Sequence, residues 1–186
     1  MFIQTESTPN PATLKFLPGR AVMAAGTADF PSHDAAQASP LARRIFAAGA
    51  VAGVFFGPDF VTVTKAEDAD WSHVKAGVLA AIMEHFQSGA PVIEGEAGAV
   101  GHADQAGPDE DIVLQIKDLL DTRVRPAVAQ DGGDITFQGF DRGVVYLHMQ
   151  GACAGCPSST MTLKMGIENL LRHYIPEVTE VRPVGM

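Results

Sequence analysis

Between Ala90 and Gly107 the hydrophobic pattern of this chain stops, and that interruption limits it to two small folding units instead of one large core. The stretch is rich in glycine and alanine, holds the acids Glu94, Glu96 and Asp104, and has no lysine or arginine. It shows neither a helical nor a strand period, so it reads as a flexible linker. The chain is therefore expected to be α+β: a small domain over 1–89, a linker over 90–107 and a second small domain over 108–186. An apolar content of 46% supplies a core for each. The net charge of −9 is spread as −2, −3 and −4 over the three parts, so neither half offers a basic platform and no nucleic-acid partner is expected. There is no apolar run of about 18 residues, so no membrane span is expected. The two units show no repeat of one another.

In the first unit, Phe2–Thr5 and Leu14–Leu17 read as short strands around the turn Thr8-Pro9-Asn10-Pro11, where two prolines restrict their neighbours. Ala21–Met23 reads as a third. Ser39-Pro40 opens a helix, with serine as N-cap and proline at the first helical position, and Leu41, Ile45 and Phe46 form its apolar face up to Gly49. Val51–Phe56 and Phe60–Thr64 flank Gly57-Pro58-Asp59 as a hairpin. Asp70 caps a longer helix with Trp71, Val74, Val78, Ile82, Met83 and Phe86 on one stripe.

The second unit opens with Asp109, Glu110 and Asp111 in the first turn of a helix, where the dipole favours acids. Ile112, Ile116, Leu119 and Leu120 make its buried stripe, and Arg125-Pro126 breaks or restarts it. Gln130–Asp134 reads as a tight turn. Ile135–Phe140 and Val144–Met149 are strands joined by the three-residue loop Asp141-Arg142-Gly143. After a glycine-flanked loop, Ser158–Tyr174 reads as an amphipathic helix bearing Leu163, Ile167, Leu170, Leu171 and Tyr174, ended by Pro176. Val178–Val184 is the last strand.

That loop, Gly151-Ala152-Cys153-Ala154-Gly155-Cys156-Pro157, holds both cysteines of the chain. A CxxC pair before a helix N-terminus suits metal or redox chemistry, since the dipole there favours a thiolate. Two inert structural cysteines are the plain alternative. A thioredoxin-like dithiol also places CxxC between strand and helix, but that fold needs more strands than the residues after Cys156 supply, and no aromatic residue precedes Cys153. A structural zinc ion wants four ligands. The nearest histidines do not complete the set: His148 sits on a strand, and His173 lies roughly 25 Å along the helix. Both read as ordinary surface or core residues. An iron–sulfur cluster also wants four thiolates. One chain supplies two and a symmetric pair of chains supplies four, so cluster binding here requires a dimer or a partner thiol. Gly151 and Gly155 would allow close backbone approach to such a group.

Asp131-Gly132-Gly133-Asp134, followed by the cysteine loop, Ser158-Ser159 and Thr162-Leu163-Lys164, resembles the C-terminal domain of NifU-like proteins. Phe2–Pro11 with Leu14-Lys15-Phe16 resembles the N-terminal domain of the Nfu type. The resemblance covers nearly everything but the linker. It implies a cluster scaffold or carrier and not an enzyme: Cys153 and Cys156 as the metal and cofactor ligands, a 4Fe–4S cluster held between two protomers, and delivery to apo iron–sulfur client proteins after loading by upstream cluster-assembly proteins. The Asp131–Asp134 motif is read as structural, for turn and packing. Two cysteines, with no basic-apolar leader and no arginine-rich transit sequence at the N-terminus, give the cytoplasm as the expected location.

Overall fold

Local capping chemistry starts two of the helices where the sequence places them. The computed structural model describes residues 1–95, 109–154 and 157–184, with the backbone alone for 157–159. In it, the Ser39 hydroxyl accepts from Ala42 N at 3.0 Å and opens α1 (Pro40–Ala47). The Asp70 carboxylate accepts from Ser72 N at 2.8 Å and opens α2 (Trp71–Ser88), which ends at Gly89 in the left-handed region. The chain divides into two compact units, Met1–Ala99 and Val100–Met186. Each is a mixed helix-and-sheet unit, in keeping with the α+β expectation.

The first unit is built on a five-stranded antiparallel sheet of order β1-β2-β5-β4-β3. The strands are β1 (Gln4–Ser7), β2 (Thr13–Leu17), β3 (Ala28–Phe30), β4 (Val51–Phe56) and β5 (Val61–Lys65). Register sets Phe16 beside Val61 and Val61 beside Phe56, so these side chains share the face on which α1 and α2 pack. Leu41, Ile45, Val74, Val78 and Ile82 complete that core. Val92 and Ile93 also pack against it, and the Val92 carbonyl accepts from the Ser39 hydroxyl.

One local expectation fails here for a physical reason. Ala21–Met23 forms no strand, because Val22 N and Met23 N both donate to the single carbonyl of Pro58, leaving no ladder to extend. The strand in that region is β3 instead, paired with β4. On α2, His85 and Ala81 join the buried stripe, while Trp71, Met83 and Phe86 are only partly buried.

The second unit carries a three-stranded sheet of order β6-β7-β8, with β6 (Gly133–Asp141), β7 (Val144–Gly151) and β8 (Glu180–Val184). β6 and β7 form an antiparallel hairpin; β7 and β8 are parallel and joined through α5 (Pro157–Tyr174). The β8 edge is tied to α5, since Val181 N donates to Glu168 Oε2 at 3.2 Å. Ahead of the sheet, α3 (Glu110–Leu119) passes through one wide π turn, Leu120–Val124, into α4 (Arg125–Gln130). Pro126 has no N–H to donate, and the wide turn absorbs that gap, so the helix restarts at Arg125. The buried stripe runs Val113, Ile116, Leu120, Val124, Val128; Ile112 and Leu119 lie at its margin.

Both turns of this unit are tighter than the sequence reading. Asp141 pairs with Val144 in the ladder, leaving a two-residue turn with Arg142 at φ +49° and Gly143 at φ +83°. Gly132, at φ +82°, makes the turn after α4, while Gly133 and Asp134 already belong to β6.

Candidate functional site

β7 ends on Gly151 at φ +63°, a conformation that favours glycine, and the chain turns there into the cysteine loop. Several bonds among the described residues shape that loop. Ala152 N donates to Gly132 O at 3.2 Å, Ala154 N to Gly151 O at 3.1 Å, and the Thr160 hydroxyl, from the first turns of α5, to Cys153 O at 3.1 Å. The first of these ties the loop to the Asp131–Asp134 motif, which thus has the turn-and-packing role expected of it.

Cys153 is turned inward. It is 5% exposed and belongs to the hydrophobic core with Met149, Ile167 and Leu171. Its sulfur lies over Gly133 in β6: a Cβ built on that glycine would stand 2.4 Å from Sγ. Burial pushes the thiol up to about 12, and the carboxylates of Asp131 and Asp134 add to the rise. The sequence pattern places a thiolate-favouring helix N-terminus next to the pair. For Cys153 the outcome is the reverse: it precedes the helix, sits out of water, and faces two acids. Cys156 and Gly155, the other halves of the expected ligand pair and glycine pair, lie outside the described residues.

One of these acids, Asp134, is itself held in place. Asp134, 3% exposed, takes a two-pronged grip from Arg125, with Nε to Oδ1 at 2.9 Å and Nη2 to Oδ2 at 2.8 Å, and its Oδ1 also accepts from Ile135 N at 2.8 Å. Arg125 reaches Asp121 as well, at 3.1 Å. Hydrogen bonding to Asp134 raises the guanidinium further above its ordinary value. The pair therefore fixes the first residues of β6, and with them Gly133, beneath the cysteine loop. Sequence reasoning missed Arg125, whose position before a proline marked only a helix break.

Neither histidine joins the site. His148 Nδ1 lies 3.2 Å from Val184 O, across to β8, and His173 packs edge-on against Tyr174 in the last turn of α5. Among the described residues, no three His, Cys, Asp or Glu side chains converge as a metal site. Also among them, no helix is long and apolar enough to cross a membrane.

Comparison with known proteins shows the family of the chain. The family described as "Scaffold protein Nfu/NifU N terminal" matches residues 3–89, and the one described as "NifU-like domain" matches residues 116–182. The protein named NFU1 iron-sulfur cluster scaffold homolog, mitochondrial, from Homo sapiens is 51% identical over 99% of this chain and 72% of its own length. This chain belongs to the Nfu family of NifU-like proteins. Another of this Nfu chain's relatives, NifU-like protein 4, mitochondrial, from Arabidopsis thaliana, is 52% identical over 97% of the chain; the chain spans 65% of that relative's length. The solution structure of a NifU-like protein from Saccharomyces cerevisiae aligns with TM-score 0.47 at 25% identity, over 52% of this chain and 87% of that one, too loosely to argue from.

The relatives' names overturn the expected cytoplasmic location, since both curated relatives are named mitochondrial. The free thiol of Cys153 fits a reducing environment, and that is not a property of the cytoplasm alone.

Proposed function

We propose that this Nfu-family chain is a carrier that holds a 4Fe–4S cluster between two copies of itself and hands it to apo iron–sulfur proteins. The observation that carries the reading is the match to relatives over almost the whole chain, one of them named an iron-sulfur cluster scaffold, in a sequence whose only two thiols share one loop. Cys153 and Cys156 are the proposed ligands. Each copy gives two thiolates, so a four-thiolate cluster needs the loops of two copies to meet. The cluster is cargo. It leaves by ligand exchange, client thiolates replacing those of the carrier one at a time, and the chain acts stoichiometrically, loaded by upstream assembly proteins. A dithiol oxidoreductase works through an exposed thiolate, whereas Cys153 is 5% exposed.

The test is transfer. Loaded carrier is mixed with an apo-protein that takes a 4Fe–4S cluster, and the client's absorption and activity are followed anaerobically with an iron chelator present. Client maturation that outpaces free iron and sulfide, and that is lost with Cys153→Ser or Cys156→Ser, is the expected result. Equal maturation by the serine variants contradicts the ligand assignment.

A further inference from the structure

The space occupied by the Cys153 sulfur is made by a side chain that is absent. A Cβ on Gly133 would stand 2.4 Å from Cys153 Sγ, 2.8 Å from Gln150 O and 3.0 Å from Cys153 N, so alanine and the inward thiol cannot share the site as it stands. The φ of Gly133 does not call for glycine, although the close main-chain atoms Gln150 O and Cys153 N do. Gly132 beside it has φ +82°, whereas Gly133 is an ordinary strand residue paired with Gly151. What the missing side chain provides is room, which the thiol shares with the main chain of Gln150 and Cys153.

We propose that Gly133 is a positioning residue of the cluster site: it forms a berth into which the Cys153 thiol withdraws when the chain carries no cluster, and loading requires that thiol to leave. The inference rests on the reading of Cys153 as a ligand. A sulfur buried in the core of its own unit cannot also touch iron shared with a second chain, so the residue has two positions, berthed and presented. In the first, the loop is tied among the described residues by Ala152 N to Gly132 O and Ala154 N to Gly151 O, and Cys153 itself makes two backbone contacts. Cys153 N reaches Gln150 O only at 3.4 Å, and Thr160 Oγ1 to Cys153 O is one further bond at 3.1 Å. On loading, the S–H bond breaks, its proton goes to water, and an S–Fe bond forms as a weaker ligand leaves the iron. On handover a client thiolate takes that place on iron, and the freed sulfur takes a proton from water and returns to the berth. The berth and the iron thus compete for one sulfur, which makes the hold reversible.

Alkylation of the reduced, cluster-free full chain with iodoacetamide tests this, with peptide mass spectrometry reading Cys153 and Cys156 separately. Native Cys153 is expected to label on the order of a hundredfold more slowly than in urea, at a rate that levels off as reagent is raised, because opening of the loop becomes limiting. Gly133→Ala is expected to speed Cys153 labelling at least about tenfold while the second unit stays folded by circular dichroism, and to slow cluster release to an apo-protein. Unchanged labelling in a folded Gly133→Ala chain overturns the proposal. Where that variant does not fold, the wild-type chain decides: Cys153 that labels as fast native as in urea overturns it, and a plateau supports it. Failure of the ligand reading looks different, since Cys153→Ser would then still reconstitute a full cluster.

Discussion

Arg125 grips both carboxylate oxygens of Asp134, at 2.9 and 2.8 Å, and so joins α4 to the first residues of β6 beneath the cysteine loop. Removing the guanidinium leaves a carboxylate that is 3% exposed without its charge partner. Arg125→Met is therefore expected to destabilise the second unit by about 2–3 kcal/mol in urea unfolding, and Arg125→Met with Asp134→Leu by less than the two single changes added together. Additive losses would show that the two side chains act independently.

Ser39 serves two partners at once: its oxygen caps α1 through Ala42 N, and its hydroxyl donates to the Val92 carbonyl. Ser39→Ala is expected to cost about 1–2 kcal/mol in the first unit and Ser39→Gly less, since glycine is tolerated at an N-cap although it loses the Val92 bond as alanine does. Thermal unfolding of the first unit, followed by Trp71 fluorescence, measures it.

His85 is fully buried on α2, and burial, with the nearby Arg44 charge, lowers its pKa. A folded-state value below the unfolded one means the unfolded chain binds the proton more readily. The neutral ring's contribution is therefore present above the unfolded value of about 6.5 and is lost as pH falls below it. Urea midpoints of the first unit between pH 7 and pH 5 are expected to fall with pH, and His85→Leu is expected to flatten that fall. An unchanged slope in the variant would assign the acid sensitivity elsewhere.

Gly143 combines a φ of +83° with crowding, a Cβ there standing 2.7 Å from Thr179 Oγ1 and 3.0 Å from Glu177 O. Gly143→Ala is expected to destabilise the second unit by about 1–3 kcal/mol and to loosen the β7–β8 pairing, since Gly143 O also accepts from Thr179 N and Glu180 N. Amide exchange of Val181 and Arg182 reports the loosening.

What the sequence made legible was chemistry within a few residues. The Ser39 and Asp70 caps, the Gly57-Pro58-Asp59 hairpin turn and the helix after the cysteine loop each depend on neighbours in the chain. Contacts made at a distance were not legible. Val22 and Met23 lose their strand to a carbonyl on Pro58. Arg125 looks like a helix breaker's neighbour until Asp134 folds against it. The cysteine pair announced a site, but the inward thiol and its raised pKa depend on Gly133 and on two acids brought in by β6 and the turn before it.

The most direct measurement is anaerobic reconstitution with iron and sulfide, with iron counting and native mass as readouts. The carrier account predicts four irons per two chains, a dimer on loading, and loss of both in Cys153→Ser and Cys156→Ser. A chain that retains no iron and instead closes a Cys153–Cys156 disulfide within one copy would contradict it.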